Sequence, residues 1–234
     1  MELLPHSYTN RTARDGGVVI KAYQQRDAAV RCEREATVLA ALARLLPVPP
    51  VLGRTGTTLR LGFMPGVPGQ ELIARGLAAP VLRACGEVLR RIQAVDLSRL
   101  RLVLPGRPAP TLVHGDFGPN NALLDPGADA VTAIVDWEWA HAGHPVEDLA
   151  WCEWIVRMHH PGEVAALGAL FDGYAARPDW AERHQAMISR CQELVVMCER
   201  WAARDAGTAA EASMTGESVR LWRDRLRITE SWRE

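Results

Sequence analysis

Residues 114–121 read His114-Gly115-Asp116-Phe117-Gly118-Pro119-Asn120-Asn121, and residues 134–140 read IVDWEWA. The polar loop is flanked by two short apolar runs, TLV at 111–113 and NALL at 121–124. DPGAD at 125–129 predicts a turn, and VTAIVDW at 131–137 predicts a buried strand that carries Asp136 at its end. The pattern is therefore a carboxylate, an amide five residues on, and a second carboxylate twenty residues after the first on a neighbouring strand end. That set suits a site for a divalent metal and phosphates. Magnesium takes hard oxygen ligands and keeps several waters, so one or two protein oxygens beside substrate phosphates suffice. Each residue also has a structural role open to it: Asp116 as a turn residue binding backbone amides, Asn121 as a structural amide, Asp136 as a strand-end cap.

Upstream, residues 18–24 read VVIKAYQ and contain Lys21. Of the 27 basic side chains of the 234-residue chain it is the one lysine; the other 26 are arginine. A compact ammonium inside an apolar strand does what the planar guanidinium fork cannot; the competing account is a compositional leftover. Asp15-Gly16-Gly17 ahead of this strand predicts a hairpin turn. The stretch at 27–46 predicts a helix with Val30, Val38, Leu39, Leu42, Leu45 and Leu46 as its apolar positions, stopped by Pro47, Pro49 and Pro50. Residues 57–63 alternate as a strand does, and MPGVPGQ at 64–70 predicts a linker. Residues 80–95 predict a helix with Leu82, Cys85, Leu89 and Ile92 on one face. From 145 the pattern is helical throughout, over 145–159, 162–176, 179–205 and 209–228. The fold class is α+β: a small β-rich N-terminal lobe at 1–64, a hinge at 65–69, and a larger, mainly helical lobe at 70–234.

Hydrophobic residues make up 48% and charged residues 24% of the chain, ordinary globular values. The net charge is -1, which leaves no overall electrostatic footprint for nucleic acid. Residues 1–136 carry 16 basic and 12 acidic side chains, residues 137–234 carry 11 and 16. The basic front half favours phosphates and the acidic back half a cationic partner, unless both are ordinary solvated faces. Cys32, Cys85, Cys152, Cys191 and Cys198 form no CxxC pair and are odd in number, the pattern of reduced thiols in a cytoplasmic protein. No apolar run approaches a membrane span.

The HGDxxxxN loop followed by a hydrophobic strand ending in Asp resembles the signature of the aminoglycoside phosphotransferase family, small-molecule kinases similar in fold to protein kinases. The resemblance extends over about residues 7–150, through the strand lysine, the Glu-bearing helix, the Pro/Gly hinge and the loop, and it implies a protein-kinase-like two-lobe fold. It implies Asp116 as catalytic base, with Asn121 and Asp136 holding Mg²⁺ against the phosphates of ATP or GTP. It implies Lys21 on the α/β-phosphates, with Glu35 rather than nearby Glu33 as its partner. Ser7, Thr9 and Asn10 would cover the nucleotide, and Gly62, Phe63 and Met64 would lie along the adenine. His114 and Asp148 would support the catalytic loop, Asp148 being also a first-turn helix carboxylate favoured by the macrodipole. The partner implied is a small-molecule hydroxyl acceptor, an aminoglycoside or a related amino alcohol or aminocyclitol, with no nucleic acid and no membrane; the protein would be a monomer or homodimer.

The covering segment departs from the pattern, since HSYTNRTARDGG has no glycine at residues 7–10 where protein kinases have a Gly-rich loop. That departure motivates an alternative, a pseudokinase-like nucleotide- or ligand-binding module without efficient turnover. A metallophosphoesterase would need more His and Asp ligands at metal spacing than the chain offers. His141 and His144, with Glu147 and Asp148 nearby, lack zinc spacing. Trp137, Trp139, Trp151 and Trp154 cluster near the proposed site, with core packing as the default role and one or two available to line a pocket.

Overall fold

The computed structural model describes residues 2–3, 10–24, 27–97, 104, 111–204 and 209–234. Ser7 and Thr9 lie outside the described residues. The chain groups into two compact units, Met1–Arg177 and Pro178–Glu234.

The first unit opens with an antiparallel five-stranded sheet of β1 (Glu2–Leu3), β2 (Asn10–Asp15), β3 (Val18–Tyr23), β4 (Val51–Thr55) and β5 (Thr58–Gly62), in the order β1-β2-β3-β5-β4. The expected hairpin is there: Asp15 pairs with Val18, so Gly16 and Gly17 form a two-residue turn, with Gly16 at φ 57°. Side chains alternate along a strand, so Val19, Lys21 and Tyr23 share one face of β3, and the two apolar members of the set, Val19 and Tyr23, pack into the core. Lys21 lies mid-strand between Thr12 of β2 and Leu59 of β5. The lysine is thus part of a paired central strand, and its ammonium must find its partners above the sheet.

Helix α1 (Ala28–Leu42) supplies one of them. Its buried positions are Ala28, Arg31, Cys32, Glu35, Val38, Leu39 and Leu42, a stripe at three- and four-residue spacing. The periodicity drawn from apolar residues alone was off at the ends: Val30 is 60% exposed and Leu45 50% exposed. Arg31 and Glu35 take inward positions instead, because the N-terminal half of the stripe faces a charged site rather than the core.

Strand β6 (Val67–Pro68) pairs with β8 (Ala122–Leu124), which pairs with β9 (Val131–Ile134); β7 (Thr111–Val113) pairs with β10 (His141–Gly143). The helices of this unit are α2 (Gly69–Ala74), α3 (Ala78–Gln93), α4 (Val146–His159) and α5 (Leu167–Tyr174), the last preceded by a 3₁₀ segment at Pro161–Ala166. Leu82, Cys85, Leu89 and Ile92 of α3 are fully buried, as their spacing predicts. Burial of each such aliphatic side chain contributes about 2 kcal/mol. Gly86 and Gly173 set how closely α3 and α5 approach. A Cβ at Gly86 would come 2.2 Å from Leu170 O, and one at Gly173 2.1 Å from Arg83 O. Any side chain at either position would force the helices apart.

The second unit consists of α6 (Trp180–Arg204) packed on α7 (Ala209–Ser231). The buried Arg183 donates to Pro178 O and Glu234 Oε1, each at 2.8 Å, and His184 Nε2 lies 2.7 Å from Thr229 O. Among the described residues no helix is long and apolar enough to cross a membrane.

Candidate active site

The loop between β7 and β8 is held by α4. Asp148, in the first turn of that helix, accepts from the backbone N–H of His114 at 2.7 Å and of Gly115 at 3.0 Å. Its carboxyl is fully buried, and burial pushes its pKa up to about 6 against the pull of those two donors. Gly115 is at φ 85°, and a Cβ there would lie 2.5 Å from Trp139 O, so no other residue fits between Asp148 and the DWEW segment.

His114 is locked as a neutral imidazole. Its Nε2 faces the carbonyl of Val135 at 2.9 Å and must donate, while its Nδ1 accepts from the N–H of Asp116 at 3.3 Å. Burial drives its pKa down to about 4, so the ring stays uncharged at neutral pH. Its face packs on Trp137 at 4.5 Å between ring centroids. His141 is the opposite case. Nδ1 faces Trp139 O at 3.0 Å and Nε2 faces Glu147 Oε2 at 2.8 Å. Both ring nitrogens thus face acceptors; burial alone would lower its pKa, but Glu147 and the Trp139 carbonyl outweigh it and raise it.

Asp116 is half-buried, and both its carboxylate oxygens have a donor. Asn121 Nδ2 reaches Oδ2 at 2.9 Å and the Asp116 carbonyl at 2.7 Å; the indole N–H of Trp151 reaches Oδ1 at 2.8 Å. The amide nitrogen of Asn121 therefore faces Asp116, leaving the amide oxygen as the atom it offers to a cation. The backbone of Asn121 is stitched to the second strand, with Val135 N donating to Asn121 O at 3.0 Å. Val135 is thereby bonded to both ends of the 114–121 loop, and the next residue is Asp136.

The strand expected to run through Trp137 ends at Ile134. Asp136 sits in the left-handed region at φ 69°, ψ 57°, and starts a 3₁₀ turn, Trp137–Trp139. Aspartate tolerates that conformation better than most residues do. The turn carries Glu138 back over α1, where Arg34 donates to its carbonyl at 3.0 Å. The Trp137 N–H donates to Glu35 Oε1 at 3.2 Å.

Lys21 lies where these pieces meet. Its Nζ is 2.6 Å from Glu35 Oε2, 2.6 Å from Asp136 Oδ1 and 3.5 Å from Glu138 Oε2. Burial alone would lower its pKa, but Asp136, Glu35 and Glu138 outweigh that and hold it above the ordinary lysine range. Glu35 also accepts from the hydroxyl of Tyr23, a phenol that burial and the neighbouring carboxylate keep protonated. Glu33 points outward to an exposed ion pair with Arg54. Glu138 is fully buried and accepts from Asn10 Nδ2 at 2.8 Å and Arg31 at 3.0 Å. Arg31 also donates to Asn10 Oδ1 at 3.2 Å and pairs with Asp27 at 3.0 Å.

Of the residues singled out from the sequence, the structure brings together Lys21, Glu35 and Asp136, and joins Asp136 through Val135 to Asn121, Asp116 and His114. Asn10 lies beneath this group as a bridge between Glu138 and Arg31. Gly62, Phe63 and Met64 follow the end of β5; Phe63 N donates to Gly17 O at 2.8 Å, and the Phe63 ring lies 3.6 Å under the Arg14 guanidinium. The sequence pattern missed Glu138, Arg31 and Tyr23, and placed Trp151 near the site without a contact to Asp116. One signal was available: Arg31 is four residues before Glu35 on a stripe that is otherwise apolar.

The carboxylates of Glu35, Asp136 and Glu138 come within 4.8 Å of one another. Glu35 and Glu138 are buried and already committed to cations and N–H or O–H donors, whereas the Asp136 side chain is 31% exposed. Asp136 is thus the accessible carboxylate of this corner; it and the amide oxygen of the buried Asn121 are hard oxygens of the kind magnesium takes.

A family model described as "Phosphotransferase enzyme family" matches residues 2–102 and 97–185. Acyl-CoA dehydrogenase family member 11 of Gallus gallus is 40% identical over 73 residues, 30% of this chain and 9% of that protein. Hygromycin-B 4-O-kinase of Escherichia coli is 28% identical over 130 residues, 48% of this chain and 37% of that one. The matches thus span well under half the length of these relatives. The solved structure of the GDP and kanamycin complex of APH(2")-IIia superposes with a TM-score of 0.68 at 13% identity, covering 97% of this chain and 93% of that one. The α+β, protein-kinase-like fold expected from the sequence is the fold found, and the chain belongs to the phosphotransferase enzyme family.

Proposed function

We propose that this protein transfers the γ-phosphoryl group of ATP or GTP to a hydroxyl of a small molecule, an aminoglycoside or a related aminocyclitol or amino alcohol. The observation that carries the proposal is that Lys21 pairs with Asp136, whose chain neighbour Val135 is hydrogen-bonded to Asn121, which in turn holds Asp116. The acceptor class is supported by relatives whose names specify hygromycin B and kanamycin. In this reading residues 1–64 hold the nucleotide, 65–69 act as hinge, and the part that follows carries the catalytic loop.

Phosphoryl transfer asks little covalent chemistry of a protein and much positioning and charge neutralisation. The acceptor oxygen forms a bond to the γ-phosphorus while the bond from that phosphorus to the β–γ bridging oxygen breaks, and the diphosphate leaves with the electron pair. Asp116 orients the acceptor hydroxyl and takes its proton. Lys21, held by Glu35, presents its ammonium to the α- and β-phosphates. Asp136 and Asn121 would hold magnesium, which supplies neutralisation of the phosphate oxygens when bound.

The test is ADP or GDP release by the purified protein with magnesium, ATP or GTP, and a panel of kanamycin, hygromycin B and choline. Release must depend on an acceptor, and Asp116→Ala must abolish it. Lys21→Arg keeps the charge but places a planar fork where a compact ammonium fits; its turnover is expected to fall at least tenfold. Nucleotide binding without acceptor-dependent release would favour a binding module instead.

A further inference from the structure

Helix α4 touches the catalytic loop twice. Asp148 clamps the backbone N–H groups of His114 and Gly115. Three residues on, and therefore on the same helix face, Trp151 donates its indole N–H to Asp116 Oδ1 at 2.8 Å. The indole is itself fixed: it stacks on Trp154 at 4.3 Å between ring centroids with planes 6° apart, and both rings are almost fully buried. Asn121 holds the other carboxylate oxygen at 2.9 Å.

We propose that Trp151 is a positioning residue for phosphoryl transfer, its stacked indole holding Oδ1 of Asp116 so that the carboxylate meets the acceptor hydroxyl in one orientation. The proposal rests on the phosphotransfer reading above. A donor of this kind does two things at once. It restricts rotation of the carboxylate about its Cβ–Cγ bond, since Asn121 and Trp151 grip different oxygens. It brings no formal charge to the carboxylate. Core packing alone gives no reason for the ring nitrogen to face Asp116.

Trp151→Phe tests this, because it keeps an aromatic ring against Trp154 and removes only the donor. With kanamycin, hygromycin B and choline as acceptors, kcat is expected to fall about tenfold, the effect of one hydrogen bond to a charged group. KM for the nucleotide should not change. An independent arm follows the Trp151 indole N–H resonance in ¹⁵N-tryptophan-labelled protein, assigned by its loss in Trp151→Phe. It should shift in Asp116→Asn. A kcat equal to wild type in Trp151→Phe would overturn the assignment, as would an indole resonance indifferent to Asp116→Asn. Failure of the wild type to phosphorylate any of the acceptors would instead overturn the phosphotransfer reading, and the catalytic role of Trp151 with it.

Discussion

Around Lys21 the side chains are held by charge. Lys21 and Arg31 face Glu35, Asp136 and Glu138 at 2.6 to 3.5 Å, nearly all of them buried. Asp116 itself is gripped by uncharged groups, an amide and an indole, in a loop that a neutral imidazole stitches and the Asp148 carboxylate clamps by its backbone N–H groups. The difference follows from what each side has to do. A corner that receives a polyphosphate and a metal needs opposite charges already in place and compensated. A corner that receives one proton needs a carboxylate held in place by groups that add no charge of their own.

The sharpest way to break the comparison is to remove the carboxylate from the uncharged side. Asp116→Ala is expected to lower turnover by about 10²–10⁴-fold, the usual contribution of a general base. The urea midpoint should move little, because Asp116 is half-buried and neither of its side-chain partners is an ion. On the charged side the balance reverses. Glu138→Gln removes one member of a buried ion cluster and leaves Arg31 and Lys21 short of a counter-charge. Loss of one buried partner costs about 3–5 kcal/mol, so unfolding should shift strongly even though Glu138 need not touch a substrate. A Glu138→Gln protein with wild-type stability would show that Asn10, Asp27 and solvent already balance Arg31.

Much of the uncharged side was legible in the sequence. The HGD spacing, the two short flanking strands and the downstream Asp are local patterns, and local patterns survive in one dimension. Less of the charged side was, because Glu138 faces α1 only through the left-handed backbone of Asp136 and the 3₁₀ turn after it. An uninterrupted strand through Trp137, which the apolar run suggested, would have placed residue 138 elsewhere. Arg31 was hidden for a related reason: on α1 the apolar pattern assigned Val30 to the core, whereas the inward stripe passes through Arg31. Trp151 was visible as an aromatic, but nothing in a sequence says where an indole nitrogen points.

The finest test of the uncharged side uses its two buried titratable groups. His114 has its pKa lowered from 6.5 to about 4, so its contribution to stability is complete above pH 6.5 and is lost as pH falls towards 4. Asp148 is raised from 3.8 to about 6, so its contribution is complete below pH 3.8 and is lost as pH rises through 6. At about 1.4 kcal/mol per unit, each is worth about 3 kcal/mol across almost the same window, with opposite sign. In the wild type the two slopes cancel between pH 4 and 6. Asp148→Asn removes one of them, and relative to wild type its stability should fall as pH is lowered from 6.5 to 4. His114→Gln should do the reverse, losing stability relative to wild type as pH is raised from 4 to 6. Urea unfolding at several pH values in that range reads both slopes directly. If both variants ran parallel to wild type, the loop would not be held by a buried neutral imidazole and a buried carboxylate, and the contrast with the ion cluster around Lys21 would lose its physical basis.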